Sequence, residues 1–212
     1  FPQGEGADVA GSLRRWEETV GDLDLVAASD EPAALADHLA AHPSVAEVMA
    51  RGEAGARVRL AGGLQVDLRV APAAGYPALL HHLTGSKAHH VRLRGLAREL
   101  GYTLSEWGLV RLADGRPVPL GDEADVYRSL GMQWVPPELR EDQGEVEAAR
   151  EEVLDPEAED IVQRRLLPHQ AEAVELPEGH QVEIHVDLEL WPAGAYPAEQ
   201  EPHRGCLVGL LL

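Results

Sequence analysis

Gly11-Ser12-Leu13-Arg14-Arg15, then Gly21-Asp22-Leu23-Asp24, then Val66-Asp67-Leu68-Arg69 are the stretches that decide the fold of this chain. One residue separates Asp22 from Asp24, so a strand continuing through Leu25 and Val26 turns both carboxylates to one face and Leu23 to the core. Asp67, in a second apolar run, joins them from a neighbouring strand. Gly11 and Ser12 can form a tight turn whose amides and hydroxyl approach an anion, and Arg15 adds a charge-assisted fork to the same group. The acids have no basic partner inside the motif and repel one another unless cations lie among them; hard oxygen donors of this kind suit magnesium or manganese. Taken singly the pieces are weak, because Gly-Ser fills ordinary turns and a lone acid pair in a turn is usually solvated.

Working outward, a short strand near Ala7 to Ala10 precedes the first motif. Ser29-Asp30 followed by Glu31-Pro32 supplies an N-cap and a first-turn proline for a helix to about Ala41, with Leu35 and Leu39 on one face and His42-Pro43 as its stop. Val45 to Met49, Ala56 to Leu60 and Leu64 to Val70 read as strands, the last two joined through Ala61-Gly62-Gly63 as a hairpin. With the strand of Asp22 and Asp24 they make a small mixed sheet backed by a helix. Helices follow at Gly75 to Leu83 and Lys87 to Leu100, with Gly101 as a C-cap. A hairpin over Tyr102 to Val118, turning at Ala113-Asp114-Gly115, leads to a short helix at Asp122 to Leu130 and a proline-fixed extended run from Trp134 to Arg140. The fold class is therefore α/β (α+β), with no internal repeat. An acidic stretch from Glu138 to Asp160 reads as a linker or an exposed helix.

The 212 residues suffice for one or two domains with a buried core. A net charge of −19 argues against a nucleic-acid partner when taken alone. Charge is uneven, however: between Thr84 and Arg111 the cations Lys87, Arg92, Arg94, Arg98 and Arg111 face only Glu99 and Glu106, which is compatible with a local phosphate-binding face. Cys206 stands alone, so no disulfide forms within the chain, and no apolar run is long enough to span a bilayer. The expectation is a cytoplasmic, nucleoid-associated monomer without a membrane partner. His81, His82, His89 and His90 lack a cysteine or carboxylate at ligand spacing and read as ordinary helix residues in preference to a zinc site.

The three motifs, with Thr84-Gly85-Ser86 and the run Trp134-Val135-Pro136-Pro137-Glu138-Leu139-Arg140-Glu141-Asp142, resemble the bacterial X-family DNA polymerases of the nucleotidyltransferase superfamily over roughly Ala10 to Glu147. The resemblance implies a nucleotidyltransferase palm over 1–74, truncated at its N-terminal side. It further implies a nucleotide- and DNA-binding subdomain over 75–147 and an acidic linker over 148–182. It implies DNA-directed synthesis in short-gap repair, with gapped or primer-template DNA and a deoxynucleoside triphosphate as partners and two Mg2+ or Mn2+ ions as cofactors. Asp22, Asp24 and Asp67 would be both catalytic residues and metal ligands. Gly11, Ser12, Arg15 and Gly21 would meet the triphosphate; His82, Thr84, Gly85, Ser86, His90 and Arg94 would line the sugar and base. Lys87, Arg92 and Arg94 would contact DNA. His90 and Arg94, four apart, would share one helix face.

The chain departs from that family in three places. His82 stands where an aromatic residue is common, which bears on ribose discrimination. The helix-hairpin-helix domain expected before Phe1 is missing, which predicts weak DNA grip. Glu183-Ile184-His185-Val186 resembles the approach to a polymerase and histidinol phosphatase (PHP) domain, but Asp187-Leu188-Glu189-Leu190-Trp191 follows. Read one base forward, codons for that run give Thr-Trp-Ser-x-Gly, which predicts a frame change near Val186, disorder over 183–212 and no exonuclease activity. Two other readings keep the first motif: a template-independent nucleotidyltransferase, and a catalytically silent DNA-binding module.

Overall fold

The computed structural model describes residues 7–150 and, beyond them, the backbone of two short strand segments at 185–186 and 208–209. The first unit is a five-stranded mixed sheet, ordered β1-β2-β5-β4-β3. Its strands are β1 (Ala7–Val9), β2 (Asp22–Ala28), β3 (Val45–Gly52), β4 (Gly55–Leu60) and β5 (Gln65–Ala71). Only β2 and β5 run parallel. The period-two pattern explains which side each residue takes: Leu23 is buried on β2, and Val66, Leu68 and Val70 are buried on β5. The helix α2 (Pro32–Ala40) covers that side, with Leu35 packed against Ala27, Leu68 and Val70. Its cap differs from expectation. Glu31 is the N-cap, and the Ser29 hydroxyl accepts from the Glu31 amide at 3.0 Å before the helix begins.

On the opposite face Val26 packs with Ala10, Leu79 and Leu80 under α3 (Tyr76–Thr84). Asp22 and Asp24 share that face but lie nearer the start of β2. The expected boundary at residue 74 precedes a helix whose apolar side chains belong to the sheet.

The second unit is built on α4 (Lys87–Glu99), where Leu93 and Ala97 enter a core with Leu104, Leu109, Val126, Tyr127 and Val135. Ser86 caps α4, accepting from the His89 amide at 3.3 Å. The segment expected as one hairpin is a three-stranded antiparallel meander. It runs through β6 (Tyr102–Ser105), β7 (Gly108–Arg111) and β8 (Pro117–Val118), so Ala113-Asp114-Gly115 lies in its second connection. After α5 (Ala124–Ser129), the run expected as extended contains a 3-10 turn at Pro137–Leu139. The chain then forms α6 (Glu145–Arg150), which buries Val146 and Ala149 in the second core. The acidic region expected as a linker from 148 therefore begins inside a packed helix. Its remainder, through 182, lies outside the described residues. So does the expected frame change and disorder over 183–212, apart from an antiparallel pairing of β9 (His185–Val186) with β10 (Val208–Gly209).

A buried ionic network holds the two units together. Arg14, on the single-turn helix α1 (Gly11–Arg14), forks onto Glu123 at 2.8 and 2.9 Å and also donates to the Thr84 hydroxyl at 2.6 Å. Arg140 reaches the same carboxylate from the other side at 2.7 Å and donates to the Val135 carbonyl at 2.9 Å. Burial alone would raise the Glu123 carboxyl, but the two guanidiniums hold it well below the usual carboxylate range.

Replacing Glu123 by Ala leaves buried Arg140 without its counter-charge and is expected to lower unfolding free energy by about 3–5 kcal/mol in urea titrations at pH 7. Glu47→Ala, which breaks an exposed pair with Arg59, should cost less than about 1 kcal/mol. Because the folded Glu123 carboxyl lies below its unfolded value, its contribution is present above about pH 4.3 and fades as the pH falls further.

Candidate active site

The parallel register sets Asp24 directly beside Asp67 and Asp22 beside Gln65. The three aspartates are half-buried on one face of adjacent strands. The Asp24 carboxyl is pushed up to about 6, first by burial and then by Asp22 and Asp67, while Arg57 and Arg15 pull it down. Accumulated negative charge on oxygen donors fits a hard divalent cation. Yet among the described residues no group of three or more His, Cys, Asp or Glu side chains is drawn together closely enough to hold a metal ion as it stands.

Part of the reason is a cation the motif reading did not contain. Arg57 on β4 is the register partner of Asp67, and its Nε donates to Asp67 Oδ1 at 2.5 Å. Gln65 Nε2 donates to the other oxygen at 3.1 Å. The expectation of an acid cluster without a basic partner is thus corrected: the partner comes from the adjacent strand. The signal was present in the sequence, since a hairpin centred on Gly62 brings Arg57 opposite Asp67.

Gly11 has a second reason for being glycine. Its φ is +61°, and a Cβ there would lie 2.1 Å from Asp24 Oδ2. The turn carrying Ser12 therefore presses against the carboxylate itself. Ser12 is half-buried on α1, and Gly21 is exposed at the entry to β2. Arg15 was expected to face phosphates, and it is engaged within the protein: Nε donates to Glu141 at 2.6 Å and Nη1 to the Thr84 carbonyl at 2.6 Å. Gly85, with φ +74°, lets Arg15 Nη1 approach to 3.0 Å of where a Cβ would sit. The Gly85–Ser86 peptide is cis. Thus α1 and the Thr84-Gly85-Ser86 turn meet through arginine, with Ser86 anchored to the Arg140 carbonyl at 3.1 Å.

The remaining candidates scatter. His82 is half-buried, its Nε2 3.5 Å from Glu106, and burial lowers its pKa. His90 does not share an open face with Arg94. Arg94 is exposed, whereas His90 is buried with Nε2 donating at 2.9–3.0 Å to the His81 and His82 carbonyls, and burial lowers its pKa to about 4. Lys87 and Arg92 line a shallow recess with Ala88, Val91 and Asp142, to which none of the three aspartates contributes. Arg92 is paired with Glu147 at 2.5 Å. His81 and His89 both reach the Tyr127 hydroxyl, at 3.2 and 2.9 Å, and His89 Nδ1 lies 2.6 Å from Glu145. They are buried polar core, in line with the reading as helix residues. Arg14, Glu123, Arg140 and Glu141 escaped the motif reading because their partners are far apart in sequence.

Residues 79–141 match the family described as DNA polymerase beta thumb. The chain is 39% identical over 140 residues to the DNA polymerase/3'-5' exonuclease PolX of Bacillus subtilis (strain 168), covering 65% of this chain and 25% of that protein. It is 37% identical over 78 residues to the human DNA-directed DNA/RNA polymerase mu, covering 36% of this chain and 16% of that protein. The chain thus spans a quarter or less of the relatives it matches.

Two measurements probe this geometry. Gly11→Ala is expected to destabilise the fold by about 1–3 kcal/mol through the unfavourable φ and the displaced Asp24 carboxylate, read by urea unfolding. The raised Asp24 carboxyl stabilises the folded state below about pH 4, and that contribution is lost as pH rises through about 6. Asp24→Asn should therefore unfold at higher urea than the parent at pH 7.5, with the advantage gone near pH 4.

Proposed function

We propose that this chain is a member of the X family of DNA polymerases and supplies the nucleotidyl-transfer centre of a template-directed polymerase that fills short gaps in DNA. The observation that carries the reading is the register of β2 with β5, which sets Asp24 beside Asp67 and leaves Asp22 on the same face. Template-directed repair synthesis, the choice of ions and the residue roles are inferred from that geometry together with the relatives.

In the proposed reaction a primer 3′-hydroxyl attacks the α-phosphorus of a deoxynucleoside triphosphate, the bond to the β-phosphate oxygen breaks, and pyrophosphate leaves. Asp22, Asp24 and Asp67 would hold two Mg2+ or Mn2+ ions, which neutralise charge on the attacking and leaving oxygens. Asp22 and Asp24 contribute fixed negative charge at the base of the site, and Gly11 sets how close the triphosphate-facing turn comes to Asp24. Ser12 and the Gly21 amide face the β and γ phosphates, and Arg15 exchanges its hold on Glu141 for a phosphate oxygen when the nucleotide arrives. The Thr84-Gly85-Ser86 turn would pass along the sugar by its backbone, since the Thr84 side chain is buried and the bare Cα of Gly85 faces Arg15. Arg94 and Lys87, exposed on α4, face the DNA. His82 borders the pocket and bears on sugar discrimination, while His90 acts beneath it by tying α4 to the end of α3. Work on chromosomal DNA places the protein in the cytoplasm; among the described residues no helix is long and apolar enough to cross a membrane.

The test is gap filling on a one-nucleotide gap with labelled deoxynucleotides and either ion. Asp67→Ala should lower kcat/KM by roughly three orders of magnitude or more. Incorporation that persists in Asp67→Ala sinks the assignment. Incorporation on single-stranded primer that ignores the templating base would show a template-independent transferase, and metal-dependent triphosphate binding without turnover would show a silent module.

A further inference from the structure

Resting on the cation-site reading above, we propose that Arg57 is a positioning residue that occupies Asp67 until a divalent cation displaces it, and so sets how tightly this site binds its ion. The placement is built into the hairpin: the β4–β5 register puts Arg57 directly across from Asp67 and Arg59 across from Gln65. Both Asp67 oxygens are engaged by the chain itself, Oδ1 by Arg57 Nε at 2.5 Å and Oδ2 by Gln65 Nε2 at 3.1 Å. Each oxygen keeps a second lone pair, so what opposes a cation at Asp67 is the positive charge of the Arg57 guanidinium at 2.5 Å. The Arg57 interaction is the one that can yield at low cost, because the Asp67 side chain is 15% exposed while that of Arg57 is 52% exposed and can swing into water on its flexible stem.

Arg15 is the other cation acting on this acid group, and it is tied down by Glu141 and the Thr84 carbonyl with its side chain 14% exposed. Before any nucleotide arrives, Arg57 is therefore the guanidinium that can leave these carboxylates at the lower cost. Its charge has two effects. It relieves the repulsion of Asp67 with Asp22 and Asp24 while the ion is away, which keeps the three carboxylates in place on the sheet. It also repels the incoming ion and must move aside, so the site is held ready at the expense of affinity.

The ion's binding, measured without DNA or nucleotide, tests this directly. Mn2+ is titrated into the full chain and free Mn2+ is followed by electron paramagnetic resonance. Arg57→Ala and Arg57→Gln are expected to bind Mn2+ on the order of tenfold more tightly than the parent, the size expected for removing a unit charge about 5 Å from a divalent ion even under strong screening. Arg57→Lys, which keeps the charge, should stay close to the parent, and Asp67→Asn should lose the affinity gain when combined with Arg57→Ala. In gap filling, Arg57→Ala should reach half-saturation at a lower Mn2+ concentration than the parent. Unchanged or weaker Mn2+ binding in both neutral variants, alongside Asp67-dependent binding in the parent, overturns the role of Arg57 alone. Mn2+ binding absent from the parent and from every variant overturns the cation site together with it.

Discussion

Glu123 lies buried between two arginines from opposite ends of the described chain, and the rest of the structure depends on that arrangement. Arg14 follows the Gly-Ser turn of the first unit, and Arg140 ends the 3-10 turn of the second. Each charge is costly to bury alone, and the three are tolerable only in each other's company. The network extends to the Thr84 hydroxyl and, through the Arg140 backbone, to the Ser86 amide, so the turn between α3 and α4 is fixed by the same residues that join the units. The proposed nucleotide site, set between a sheet and a separate helix, needs such a joint. Without it the acids on β2 and the turn at Gly85 have no fixed relation.

The sheet contributes a different constraint. Parallel pairing of β2 with β5 forces Asp24 against Asp67, and burial then makes their charges unwelcome, which is visible in the raised Asp24 carboxyl. The fold accepts local repulsion at the proposed site and offsets it with Arg57 from the neighbouring strand and Arg15 from the first motif. Arg57 and Arg15 are both engaged with partners within the protein, so their availability to a phosphate or an ion is a matter of exchange between partners. Strain of this kind is what a functional site adds to an otherwise consistent fold.

Much of the first unit was readable in advance. The alternation in Asp22-Leu23-Asp24 and Val66-Asp67-Leu68 correctly separated core from open face, because a pleated strand has no other way to place successive side chains. The β4–β5 hairpin and the helices α3 and α4 also emerged from turn residues and caps. The second unit was less legible. Its meander reads as one hairpin because Gly108 follows a turn lacking the usual glycine pair, and the acidic run over α6 reads as linker or exposed helix because its charged surface hides Val146 and Ala149 on the buried side. The resemblance puts His90 toward the nucleotide and its spacing puts it on the face of Arg94, yet spacing does not say which face the neighbouring helix covers.

By itself, then, the sequence determined the chemistry on offer and its local geometry: three carboxylates on one face of two neighbouring strands, a glycine turn beside them, a basic helix and the resemblance they carry. These follow from covalent structure and short-range sterics, which act over a few residues. Tertiary structure alone decided which charges those groups meet. Arg57 reaches Asp67 across a strand pair, Arg15 reaches Glu141 and Thr84 across the molecule, and Glu123 gathers Arg14 and Arg140, because electrostatic partners in a low-dielectric interior are chosen by packing distance and not by order along the chain.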